Sequence, residues 1–229
     1  MKKINLTLVA LVFTFILSCE KNVEIKEINE LPCNYNDFKY YNNEIYPLGQ
    51  MSGDYILIGS DSSISDKLIR DFIKSKDIFN QSYDFKIHTD INYPYKYAGL
   101  KLNRNCSCGE ISWVLNDLKR NSIISFAHYT TQTNDCKNLI GETVGDLCVN
   151  SYSNIFYVKV KNPSDISDLN KILIDTHTRI RAQDRFMKDW YSIFADKNSQ
   201  GDALEMANYF YETGLFAASE PDIIKLVVE

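Results

Sequence analysis

The hydrophobic period of this chain switches in the same order twice, and few architectures accept such a pattern. Apolar residues two apart mark strands, and residues three and four apart mark helices. In the first half, Tyr55-Ile56-Leu57-Ile58 reads as a strand, and Ser65 opens a helix carrying Leu68, Ile69, Phe72 and Ile73. Strands over Asp84 to Thr89 and Tyr97 to Leu102 follow. Ser107 and Glu110 then stand three apart, the spacing at which each side chain satisfies the other's unpaired backbone amide. Ile111, Val114, Leu115 and Leu118 share one helical face behind them. Ser122 to Thr131 reads as the closing strand.

The second half repeats the order. Ile155 to Val160 is strand-like, and Pro163 and Ser164 are expected to open a helix with Ile166, Leu169, Ile172 and Leu173 on one face. Strands over His177 to Ala182 and Asp189 to Ala195 come next. Ser199 and Asp202 open a helix through Ala203, Leu204, Ala207, Phe210 and Tyr211, which Gly214 ends where a left-handed residue is favoured. Leu215 to Ala218 and Ile223 to Val228 finish as extended chain. The expected fold class is α+β, with two tandem ferredoxin-like lobes of β-α-β-β-α-β order, each leaving one sheet face open. The lobes are placed at residues 37–131 and 155–229, joined by an Asn-, Gly- and Ser-rich linker at 132–154. Residues 38–48 read as a hairpin turning at Asn42-Asn43.

Met1-Lys2-Lys3 and the apolar run from Ile4 to Ile16 read as a signal peptide over residues 1–18. The run is shorter than the roughly 20 residues that a spanning helix needs. Ile16-Leu17-Ser18-Cys19 resembles a bacterial lipobox. The resemblance implies cleavage before Cys19, acylation there, and anchorage to the bacterial cell envelope, with the outer membrane and surface exposure as the expected location. Residues 19–36 then read as a polar, acid-rich tether outside the fold.

The net charge of −5 and the lack of a basic stripe disfavour nucleic-acid binding, which draws on Lys and Arg meeting phosphates. The 15 tyrosines suit strands and sheet faces, and also a recognition surface. Export favours disulfides. Cys136 and Cys148 are the expected pair; Cys33 can reach Cys106 or Cys108, leaving one thiol over. Zinc at Cys106-Ser107-Cys108 lacks a histidine at ligand spacing. His88, His128 and His177 fall in or at the start of expected strands without a partnered base, so structural roles are expected for them. The acid pairs Asp61 with Asp66 and Asp165 with Asp168 sit at helix starts, where they stabilise exposed amides. No nucleophile elbow or phosphate loop is present, and Gly141 to Gly145 lacks the lysine of one. The expectation is a protein without catalytic residues, cofactor or metal.

Phe156-Tyr157-Val158-Lys159-Val160, Ala203-Leu204-Glu205-Met206-Ala207 and the run Glu212-Thr213-Gly214-Leu215-Phe216-Ala217-Ala218-Ser219-Glu220-Pro221-Asp222 resemble the propeptides of subtilisin-like serine proteases. The similarity covers residues 155–229, and related modules occur in surface proteins of the Bacteroides group. It implies a ferredoxin-like fold and binding to a subtilisin-like protease, with the sheet on two enzyme helices. On this resemblance Glu220 and Asp222 present carboxylates to those helices. The tail Lys225-Leu226-Val227-Val228-Glu229 lies in the substrate groove. No protease domain follows Glu229, so a free inhibitor, a module turned to other binding, or a remnant of a larger protein is expected. A surface adhesin or ligand-binding lipoprotein using Tyr-rich sheet faces is the alternative.

Overall fold

The computed structural model describes residues 30–89, 93–133, 135–137 and 141–228. The signal peptide, Cys19 and Glu229 lie outside the described residues. The chain is α+β, with four helices and a mainly antiparallel sheet among the described residues.

A small hairpin comes first, β1 (Phe38–Tyr41) and β2 (Glu44–Pro47), turning at Asn42 and Asn43 with φ of 50° and 65°. Asparagine tolerates that left-handed backbone, and two such residues in succession match the twist of paired strands. The first half continues with β3 (Met51–Asp61), α1 (Asp66–Lys74), β4 (His88–Thr89), β5 (Tyr95–Lys101), α2 (Cys108–Lys119) and β6 (Phe126–Thr133). Both helix starts anticipated there carry their caps: Ser65 accepts from the Leu68 amide, and Ser107 with Glu110 forms a complete capping box. The strand expected over Asp84 to Thr89 shrinks to two residues. Phe85 is buried against the first core instead, and only His88 and Thr89 meet β5.

The second half holds β7 (Cys148–Val160), α3 (Ser167–Thr176), β8 (Arg179–Gln183), β9 (Trp190–Phe194), α4 (Ala203–Glu212) and β10 (Phe216–Val227). Two local expectations need correction. α3 opens at Ile166 without a side-chain cap, not at Pro163-Ser164. His177 starts no strand; it is the left-handed C-cap of α3, with φ of 55°. The extended chain expected at the end is one strand from Phe216 to Val227, with Leu215 and Val228 just outside it.

All eight strands β3 to β10 join one sheet. The first half runs β4-β5-β3-β6 and the second β10-β7-β9-β8, every pair antiparallel. Segment 132–154 is not a linker throughout: β6 continues to Thr133, β7 begins at Cys148, and Thr131 to Thr133 pair with Cys148 to Asn150. The tether also ends early. Leu31 donates its amide to the Gly109 carbonyl, Cys33 is bonded to Cys108, and Tyr35 packs on the first core.

Three cores hold the molecule together. Ile56 and Ile58 of β3 face α1 and α2, meeting Ile69, Ile73, Ile111 and Leu115. Phe156 and Val158 of β7 face α3 and α4, meeting Leu169, Leu173, Leu204 and Phe210. Alternate residues of the same strands point the other way. Tyr55, Leu57, Tyr95 and Phe126 from the first half pack there with Val149, Ile155, Phe194, Leu226 and Val228 from the second. The helix-free faces are therefore not open along their length; part of each is covered by the other.

Candidate functional site

The tail singled out from the sequence is built into this third core. β10 stays paired with β7 as far as Val227–Cys148, and Leu226 and Val228 are buried. Leu226 reaches to 3.1 Å from the ideal Cβ position of Gly99, so the absence of a side chain at Gly99 makes room for it. Lys225 points outward to Asp135 at 3.0 Å, and Val227 is exposed. The two acids also have partners. Asp222 accepts hydroxyls from Ser153 at 2.8 Å and Tyr157 at 3.4 Å. Burial pushes its carboxyl up, against the pull of those hydrogen bonds and Arg181. Glu220 lies 4.0 Å from the Lys39 ammonium, and burial raises its carboxyl too.

Lys39 marks the meeting of two grooves. Its side chain is 13% exposed and lies over the rings of Tyr41 and Tyr46, at 4.9 and 5.9 Å. Burial lowers its ammonium, with Glu220 opposing. One groove, about 740 Å³, lies between the first hairpin and β6, β7 and β10; Tyr35, Tyr46, Leu48, Tyr129 and Tyr152 are among its walls. The other, about 760 Å³, crosses β10 toward the β8–β9 turn past Tyr157, Trp190 and Asp222. Lys39 and Ile223 belong to both. Among the described residues the buried Asn150 Oδ1 has no hydrogen-bond partner, and Asn150 lines the first groove. An unpaired buried acceptor carries a desolvation cost that a donor arriving in the groove would relieve.

Each end of this double groove carries exposed apolar side chains on a hairpin. Tyr41, Ile45 and Tyr46 stand at one end. Phe186, 94% exposed, and Met187 stand at the other. The first hairpin is seated by the stacking of Tyr40 on Tyr211 at 4.1 Å and by Asn208, whose amide donates to the Phe38 carbonyl. Sequence reasoning missed Lys39, Ile223, Phe186 and Met187 as site residues. The segment Arg179 to Lys188 carried a signal that could have been read: four basic side chains and an adjacent Phe-Met pair in an acidic chain.

A third cavity, about 400 Å³, lies between α2, β6 and the start of α4. His128 is buried at its wall, and its Nδ1 lies 2.8 Å from the Tyr152 carbonyl. A carbonyl can only accept, so Nδ1 carries the proton. Tyr152 donates its hydroxyl to Asp202, the N-cap of α4, which also accepts the Leu204 and Glu205 amides. Burial lowers the His128 imidazolium and raises the Glu205 carboxyl. Capping α4 accounts for these bonds. His88 stacks on Tyr97 at 5.2 Å.

Cys136 and Cys148 form a disulfide as expected, and Cys33 pairs with Cys108, leaving Cys106 as a buried free thiol. Among the described residues no group of three or more His, Cys, Asp or Glu side chains is arranged to hold a metal ion, and no helix is long and apolar enough to cross a membrane. Compared with protein-family models and with curated proteins, the chain has no match in either.

Proposed function

We propose that this chain is a non-catalytic lipoprotein of the bacterial envelope that binds a protein partner in the double groove over β10. The carrying observation is the groove itself, floored by Lys39 and Ile223 and ended by two hairpins with exposed aromatic side chains. Aromatic anchors beside polar groups are the composition of protein-binding surfaces. The finer fold reading belongs with this proposal. Each half has a helix after its first and third strands, and the orders β6-β3-β5-β4 and β10-β7-β9-β8 support two ferredoxin-like units.

Subtilisin-like serine proteases are the partner class that the C-terminal resemblance suggests. Binding through a free tail would require Leu226 and Val228 to leave their core, so the groove is the better-supported contact. Lipid anchorage at Cys19, which the lipobox resemblance supports, is part of the same proposal and is tested by Cys19→Ser, which should move the protein to the soluble fraction. For the groove, complex formation is measured against a panel of subtilisin-like enzymes with wild-type protein and with Lys39→Glu plus Ile223→Arg. The variant should lose at least tenfold in affinity.

The adhesin or ligand-binding reading draws on a different observation, the unpaired Asn150 acceptor among tyrosines. Saturable binding of a small polar ligand, competed by no protein, would favour it.

A further inference from the structure

The turn between β8 and β9 holds its apolar residues away from the protein. Asp184 Oδ1 accepts the amides of both Phe186 and Met187 at 2.8 Å. The Asp184 amide donates to the Trp190 carbonyl, the Trp190 amide to the Met187 carbonyl, and the Gln183 side chain to the Lys188 carbonyl at 2.6 Å. These bonds close the turn below its tip, so Phe186 cannot fold back onto the sheet without breaking them. Its 94% exposure is the highest among the exposed large hydrophobic side chains, and Met187 beside it is 53% exposed.

Charge around the tip runs against that of the whole protein. Arg179 to Asp189 holds Arg179, Arg181, Arg185 and Lys188 against Asp184 and Asp189, while the chain carries −5. Both acids are engaged: the amide bonds from Met187 and Phe186 hold the Asp184 carboxyl below its ordinary range, and Asp189 lies 3.5 Å from the Lys159 ammonium. Among the described residues neither Arg185 nor Lys188 enters an ion pair. The tip is thus a convex pair of apolar side chains flanked by outward-facing cations.

We infer that this hairpin tip docks on an anionic lipid surface, with Phe186 and Met187 entering the headgroup boundary and Arg185 and Lys188 meeting lipid phosphates. Apolar side chains backed by Lys and Arg are the composition by which peripheral elements lie in that boundary. Shape favours a bilayer over a protein here. A projecting tip needs a matching cavity in a protein partner, whereas lipid packs around any convex shape. The contact uses the tip of the hairpin that ends the double groove, requires neither Lys39 nor Ile223, and does not depend on Cys19 acylation.

Unacylated protein comprising residues 20–229, which contains every described element, is mixed with phosphatidylcholine vesicles and with vesicles containing about one-third phosphatidylglycerol. Flotation should recover it with the anionic vesicles only, and raised salt should release it. Phe186→Ser with Met187→Ser should weaken that binding at least tenfold, and Arg185→Glu with Lys188→Glu should abolish it. Both variants must keep the wild-type circular dichroism. No flotation with anionic vesicles, or unchanged flotation of both variants, overturns the inference. Vesicle binding that fails while a protein partner protects the tip overturns it in favour of a protein contact.

Discussion

Tyr83 donates its hydroxyl to the Val228 carbonyl at 3.1 Å, tying the end of the last strand to a loop of the first half. Leu226 and Val228 sit in the same third core as Tyr55 and Leu57. Leu226 and Val228 are therefore structural. Leu226→Ala should cost about 2–5 kcal/mol, the range for truncating a buried leucine. Chemical denaturation measures it; a cost under about 0.5 kcal/mol, the scale of a surface change, would place the tail outside the core.

Gly59 and Phe126 form a second such dependence. A Cβ on Gly59 would lie 1.9 Å from the Phe126 ring. Gly59→Ala should destabilise by about 1–3 kcal/mol through overpacking. Added to Phe126→Leu, the same change should cost less, and a double-mutant cycle reads the difference. Additive costs would show that the ring is not what excludes the methyl group.

The buried His128 gives the protein an acid limit. Its folded-state pKa lies below the ordinary imidazole value of 6.5, chiefly through burial. A depressed value contributes stability that is present above pH 6.5 and lost as pH falls toward the folded pKa. His128→Asn, whose amide can still donate to the Tyr152 carbonyl, should flatten that loss between pH 7 and about 5. Melting temperatures across the range test it; parallel profiles would assign the loss to other groups.

Asp222 acts with the opposite sign. Its pKa is raised above 3.8, first by burial. The associated stability is complete below pH 3.8 and is lost as pH rises through the folded value. Asp222→Asn keeps an acceptor for Ser153 and should be more stable than wild type at pH 7. The advantage should vanish near pH 3.5. Lower stability of the variant at pH 7 would mean that the charge itself is needed.

Cys136 and Cys148 are 12 residues apart, a loop whose closure contributes about 3 kcal/mol by chain entropy. Their joint replacement by serine should lower stability by up to that amount. Peptide mapping that recovers both thiols free from exported protein would remove the bond from the account.

Much of the fold was legible because local signals agreed with tertiary structure. The Ser107–Glu110 box, the Asn42-Asn43 turn and the apolar faces of α2 and α4 all formed where periodicity put them. What failed depended on distant partners. Nothing local shows that Tyr35 packs on the first core, or that β7 extends back to Cys148 to pair with β6. The candidate site was less legible still. Glu220 and Asp222 line one groove, yet Lys39 reaches Glu220 from about 180 residues away in the chain, across a strand edge that no motif marks. Phe186 was readable only as an apolar residue in a polar turn.

The central claim is that a partner binds in the groove over Lys39 and Ile223 with the tail left in place. It is tested most directly by titrating residues 20–229 against immobilised subtilisin-like proteases, comparing wild type with Lys39→Glu plus Ile223→Arg. The account predicts a saturable complex with at least one enzyme, weakened tenfold or more in the groove variant while Leu226 and Val228 stay protected from hydrogen exchange. No complex with any enzyme, undiminished binding by the variant, or loss of protection at the tail on binding would contradict it.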